Sequence, residues 1–262
     1  MCKRLFVLVL VLCLAGSVSA DLRGYWTLDG DGADSSVYGN HGTINGAVAP
    51  AADRFGNPSG AMSFAGGGGD NINVGDGASL NLDGAMTITA WVYLDSTSPV
   101  HGGRNSRILA KMDGGGKRSW STGIEKNVDG VPLTTTIQVS PDGGGVKSFH
   151  EAAKVSLPAD EWVHYAGVYT PGVSMEVFIN GDSIGIETNG VPASQHSANG
   201  KPVLIGNRPD CPDCGWYGAL DEVRIYSDAL SETEIEAIMA IPEPATMLML
   251  GLGGLALIRR KR

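Results

Sequence analysis

Apolar and polar residues alternate with a period of two along most of the chain, the signature of strands with one buried face. Met86–Leu94 (MTITAWVYL) is the longest such segment, with Met86, Ile88, Ala90, Val92 and Leu94 on one side. Glu161–Thr170 (EWVHYAGVYT) is a second, rich in the aromatic and β-branched residues that suit a pleated surface. Ser174–Asn180 and Ser183–Thr188 flank Gly181-Asp182, which predicts a tight hairpin. Further strands are predicted at Leu22–Leu28, Ala61–Ala65, Asn71–Val74, Ser106–Met112, Leu133–Ser140, Val203–Gly206 and Tyr217–Tyr226. Glycine clusters punctuate them at Gly66–Gly69, Gly114–Gly116 and Gly143–Gly145; none follows a strand and opens a helix, so none is a phosphate cradle. Many short strands between glycine-rich loops predict an all-β fold, a two-sheet antiparallel sandwich. One short helix is expected, with Ser231 as N-cap, Glu234 closing a capping box, and Ile235, Ile238 and Met239 on its apolar side. Its place at residues 231–240 reads as a lid or spacer.

The two ends break this pattern. Lys3 and Arg4 precede an apolar run, Leu5–Ala15, and Val18-Ser19-Ala20 supplies small residues before a cut between Ala20 and Asp21. Residues 1–20 therefore read as a signal peptide. Cys13 does not make it a lipoprotein, because Leu12 occupies the place of a small lipobox residue. At the other end, Pro242-Glu243-Pro244 precedes the apolar run Ala245–Ile258 and the basic cluster Arg259-Arg260-Lys261-Arg262. As a helix that run covers only ~21 Å against a hydrocarbon core of ~30 Å, a poor permanent anchor. The basic cluster stays cytoplasmic and leaves the triad on the far side. Proline on both sides of Glu243 holds it extended, in a form a protease can read. The order of triad, apolar helix and basic end resembles the PEP-CTERM sorting signal of exopolysaccharide-producing Gram-negative bacteria. That resemblance assigns residues 241–262 to sorting by an exosortase and implies export to the cell envelope, outer surface or extracellular matrix, with a transient inner-membrane anchor.

Excluding the ends changes the charge. Six of the 19 Lys and Arg lie in them, but only Glu243 of the 28 Asp and Glu, so the −9 of the whole chain becomes about −14 for the segment between. Nucleic acid and anionic membrane surfaces both call for basic patches, so neither is an expected partner; the membrane enters only through the sorting helix. Cys211 and Cys214, in Cys-Pro-Asp-Cys, have no second pair for zinc and no strand-to-helix context for redox chemistry. In an oxidising envelope they are expected to form a short disulfide.

An ordered series of segments resembles the LamG-like, concanavalin A-like family. It runs through Gly24-Tyr-Trp-Thr-Leu-Asp29, Asp34-Ser-Ser-Val-Tyr-Gly-Asn-His-Gly42, Ala61-Met-Ser-Phe64, Met86–Leu94, Trp162–Tyr169, Leu204-Ile-Gly-Asn207 and Gly218–Tyr226. Val37-Tyr38 departs from it, standing where the family often has Gly-Asn. The resemblance implies a jelly roll over residues 21–230, with Trp26, Trp91 and Trp162 as packing positions. It also implies a structural Ca²⁺, carried onto Asp29, Asp34, Asn40 and Asp221, whose oxygen donors suit that ion.

Catalysis is not expected. The Glu-x-Asp-x-x-Glu strand of laminarinase-like relatives is missing. Asp221 and Glu222 are neighbours, which on a regular strand sends them to opposite faces. His164 lies on a core strand and reads as a satisfied interior histidine. Aromatics in loops can stack on sugar rings, and Trp120, Trp216 and Tyr217 are the candidates. The expected function is a non-enzymatic module for polysaccharide or a surface protein; the alternatives are a structural matrix protein and, further off, a glycosidase-like enzyme.

Overall fold

The computed structural model describes residues 20–97, 105–114, 117–128, 131–141, 156–198, 200–209, 211 and 213–241. The expected signal peptide, its Ala20–Asp21 junction excepted, and the Pro242-Glu243-Pro244 tail lie outside them. Among the described residues, fourteen strands form two antiparallel sheets packed as a jelly-roll sandwich. In chain order these are β1 (Leu22–Trp26), β2 (Thr43–Asn45), β3 (Val48–Ala51), β4 (Ala61–Ala65), β5 (Asn71–Gly75), β6 (Met86–Leu94) and β7 (Ser106–Gly114). They continue with β8 (Lys117–Val128), β9 (Val131–Val139), β10 (Trp162–Thr170), β11 (Ser174–Ile179), β12 (Asp182–Glu187), β13 (Val203–Ile205) and β14 (Tyr217–Tyr226). The larger sheet has the order β12-β11-β10-β6-β14-β4-β3, with β1 also paired to β14; the smaller has the order β2-β5-β13-β7-β8-β9.

Alternation decides what lies between the sheets. Met86, Ile88, Ala90, Val92 and Leu94 of β6 are fully buried there, beside Val163, Tyr165 and Tyr169 of β10 and Leu220, Val223 and Ile225 of β14. The register Trp91↔His164 and Trp91↔Asp221 then sends Trp91, Tyr93, Trp162, His164 and Asp221 to the outer face. The β11–β12 hairpin turns at Asn180-Gly181, one residue earlier than expected, with φ of 53° and 89°, the left-handed pair a tight primed turn needs.

Three strands escape the sequence pattern. β2 is short and exposed, and β3 is an edge strand, the one place in a sheet that tolerates Pro50. β8 reads as polar because its outward residues are Ser119, Ser121 and Glu125, yet it is an interior strand of the smaller sheet, between β7 and β9.

The helix α1 (Glu232–Met239) has the expected capping box, with Ser231 accepting from the Glu234 N–H and the Glu234 carboxylate accepting from the Ser231 N–H. It is docked rather than a spacer. Ile235 and Ile238 pack with Ala166, Val168, Phe178, Tyr226 and Leu230 in a second apolar cluster on the outer face of the larger sheet. Among the described residues no helix is long and apolar enough to cross a membrane.

Candidate functional site

The outer face of the larger sheet divides into three zones. Helix α1 covers the first. The second is a belt of buried charge. Arg54, from the loop after β3, lies 4.6 Å from the Trp91 ring centroid and 4.5 Å from that of Phe55, and pairs with Asp221 Oδ2 at 2.9 Å. Glu222 pairs with Arg224, which stacks 4.1 Å from the Tyr25 ring, while the Tyr25 hydroxyl donates to the Glu222 carboxylate. Burial raises the Tyr25 phenol far above its usual range.

Asp221 and Glu222 therefore share the outer face, contrary to strict alternation. The register of β14 slips between Asp221 and Arg224, and Glu222 has φ 53°, so a bulge turns its side chain back to the side of Asp221. Each carboxylate is 4 % exposed or less and engaged by a guanidinium.

His164 sits in the same belt with its ring 5.4 Å from that of Trp91, edge to face. It is interior, as expected, and among the described residues neither ring nitrogen has a hydrogen-bond partner. Burial first, then the charges of Arg224 and Arg54, push its pKa down to about 3, so the ring is neutral.

The third zone is open. A groove of about 520 Å³ runs over the ends of β3, β4, β6, β10 and β14. Ala51, Ala65 and Ala219 contribute to its small-residue lining, and its aromatic residues are the half-buried Tyr93, Trp162 and Tyr217 with the buried Phe64. The Tyr93 and Trp162 rings lie side by side, centroids 5.8 Å apart and planes at 56°, both half-buried. Gly218 permits this geometry: at φ 136° a Cβ there would meet the Tyr93 carbonyl oxygen at 2.1 Å. The Cys211–Cys214 disulfide staples the approach to β14, and the Cys214 carbonyl accepts from the Arg107 N–H of β7 at 3.0 Å. The staple thereby fixes the strand that delivers Tyr217.

The aromatic expectations are thus redistributed. Trp120 and Trp216 are fully buried in the core and cannot stack on a ligand: Trp120 is an inward residue of β8, and the Trp216 indole donates to the Ala219 carbonyl. Trp91 and Trp162, read as core packing, lie on the outer face. Tyr217 alone of the three candidates reaches the groove. Parity contained this signal, because a strand with Val92 and Leu94 inward must turn Trp91 and Tyr93 outward.

The four residues carried over as calcium ligands do not form a cage. Asp34 accepts five hydrogen bonds, from the N–H groups of Tyr25, Ser36 and Asn40, the Ser36 hydroxyl and the Asn40 amide. Burial would raise its pKa, but these donors outweigh burial and hold it below the usual carboxylate value. Asn40 also directs its amide N–H₂ to the Arg23 carbonyl and Ser79, so it presents donors where a cation needs acceptors. Asp221 is paired with Arg54, and Asp29 is exposed. Among the described residues no three His, Cys, Asp or Glu side chains gather in a metal-holding arrangement. Asp34 and Asn40 staple the first loop onto β1, where the Trp26 indole donates to the Asn40 carbonyl.

Residues 240–262 match the PEP-CTERM protein-sorting motif, which marks exported, exosortase-processed proteins. No curated protein matches the chain in sequence. Among solved structures, domain 4 of AbnA, a GH43 extracellular arabinanase from Geobacillus stearothermophilus in complex with arabinotriose, superposes with a TM-score of 0.63 at 19% identity, over 84% of this chain and 98% of that one. The binding domain of Paraclostridial Mosquitocidal Protein 1 follows at 0.61 and 18%, and that of botulinum neurotoxin serotype G at 0.59 and 16%. They align over 82% and 83% of this chain, which spans about half their length, 51% and 50%. At these identities the likeness is one of fold. Residues 66–236 match the family described as the concanavalin A-like lectin/glucanases superfamily, and the chain belongs to it.

Proposed function

We propose that this is an exported, exosortase-processed, non-catalytic binding module that holds polysaccharide at the cell surface or in the extracellular matrix, through the groove formed by Tyr93, Trp162 and Tyr217. The observation that carries the reading is the pair of half-buried rings above a small-residue floor. A sugar presents a flat apolar face to such rings while its hydroxyls bond to the polar rim, and a few polar groups in a mostly apolar cleft are the usual form of a ligand site. The arabinotriose complex of the AbnA domain supports carbohydrate as the ligand class. The toxin binding domains support binding rather than turnover. Asp221 and Glu222 support it too, since a glycosidase needs two carboxyl groups facing a sugar and both are held in buried ion pairs.

A glycan array probed with the full-length chain in mild detergent tests this. Saturable binding to a polysaccharide class, lost in Trp162→Ala, is expected. Silence across the array would transfer the assignment to a structural matrix role.

A further inference from the structure

We infer that the groove selects polysaccharides carrying protonated amines over neutral chains, and most strongly over uronate-bearing ones; the inference rests on the groove being the binding site. Among the described residues, the charged members of its lining are Asp53 and Asp95, both acidic. They play different parts. The Asp53 carboxylate turns into its own loop, accepting from the N–H groups of Phe55 at 2.7 Å and Asn57 at 2.9 Å. Asp95 stands half-buried at the rim and accepts from the Thr97 N–H at 2.7 Å and hydroxyl at 2.6 Å, both through Oδ1. Among the described residues no donor reaches its Oδ2, which leaves that oxygen open to a ligand. Asp160 adds negative field at the same end: its carboxylate accepts from the Ser96 N–H, and its own N–H donates to the Leu94 carbonyl. Burial, reinforced by Asp160 and Asp95, raises the Tyr93 hydroxyl above the ordinary phenol value.

The neighbouring cation does not offset it. Arg54 adjoins Asp53 in the chain but is paired with Asp221 and sandwiched between Trp91 and Phe55. An amine on a sugar stacked over Tyr93 and Trp162 would meet the negative faces of two rings as well as the Asp95 carboxylate, and both attract a cation. A uronate in the same place meets repulsion from each.

The test is titration of the full-length chain, in mild detergent, with hexamers of β-1,4-glucosamine, of its fully N-acetylated form and of galacturonate, with hexalysine as a sugar-free cation. The amine hexamer should bind about fivefold more tightly than the acetylated one, the factor carried by one part-exposed ion pair of ~1 kcal/mol. Galacturonate should bind more weakly than either. Asp95→Asn retains an oxygen for Thr97 and should remove most of that fivefold preference, leaving only the part owed to the ring faces. Equal affinity for the amine and acetylated hexamers would overturn the charge selectivity and leave the groove reading intact. Hexalysine binding as tightly as the amine hexamer would overturn the sugar part of the assignment. Failure of every hexamer to bind, or binding indifferent to Trp162→Ala, would remove the groove reading itself.

Discussion

Replacing Asp221 with Asn separates two accounts of the same residue. As a calcium ligand, Asp221 would matter only when the ion is bound. In this fold it is the counter-ion of Arg54, with the two side chains 8% and 1% exposed and their atoms 2.9 Å apart. Asp221→Asn leaves the guanidinium in place, stacked on Trp91 and Phe55 but with its carboxylate partner gone. Breaking a buried pair from one side costs about 3–5 kcal/mol, since the remaining charge is desolvated without compensation. At ~2–4 °C per kcal/mol for a domain of this size, Tm should fall by roughly 6–20 °C. The double variant Arg54→Met/Asp221→Asn should recover part of that loss by removing the stranded charge. Thermal melts of the four proteins, with chelator present throughout, give the coupling energy as a double-mutant cycle. A loss under about 1 kcal/mol for Asp221→Asn, or a double variant no better than the sum of the singles, would refute the ion-pair assignment.

Three further outcomes follow from neighbouring sites. Unfolded histidine takes up a proton below about pH 6.5, whereas folded His164 does so only near 3, so the stability it supports is complete above 6.5 and is lost as pH falls through that window. His164→Phe should flatten the acid limb of the stability profile, by about 2 kcal/mol at pH 5 relative to pH 7; parallel profiles for the two proteins would contradict this. Asp34→Ala strands the N–H groups of Tyr25, Ser36 and Asn40 and should cost about 3 kcal/mol or more, while chelator alone leaves the wild-type melt unchanged; a Tm that rises with added Ca²⁺ would reverse that assignment. Cys211→Ser/Cys214→Ser removes a small covalent loop and should cost about 2 kcal/mol in an oxidising buffer, with no loss if the staple is incidental.

The parts of this fold that follow period-two alternation were legible in the sequence. Met86–Leu94, Ala61–Ala65 and Tyr217–Tyr226 form strands with the expected bounds, and the Ser231–Glu234 capping box starts the helix where the pattern places it. What remained hidden depends on tertiary context. β8 hides because the outer face of its sheet is polar, so Ser119, Ser121 and Glu125 read as loop residues when they are buried. The bulge at Glu222 cannot be seen in a run such as Leu-Asp-Glu-Val, and it reverses which carboxylates share a face. The first loop illustrates a third limit. Asp, Ser and Asn at those spacings serve a cation or a set of backbone N–H groups equally well in composition, and only geometry shows that Asp34 takes the N–H groups. The aromatic lining of the groove is half visible: Tyr217 stands among the candidate loop aromatics, whereas Trp162 reads as packing although its strand parity points outward.

Titration of the wild-type chain and of Trp162→Ala against one responsive oligosaccharide tests the central claim most directly. Removal of a ring at the centre of a binding site should raise Kd at least tenfold, a loss of ~1.4 kcal/mol or more. Because Trp162 is on the open face, the same variant should melt close to the wild type. A tenfold loss of affinity with an unchanged melt is the predicted result. Undiminished affinity in a folded Trp162→Ala protein would show that the groove is not where this protein meets its ligand.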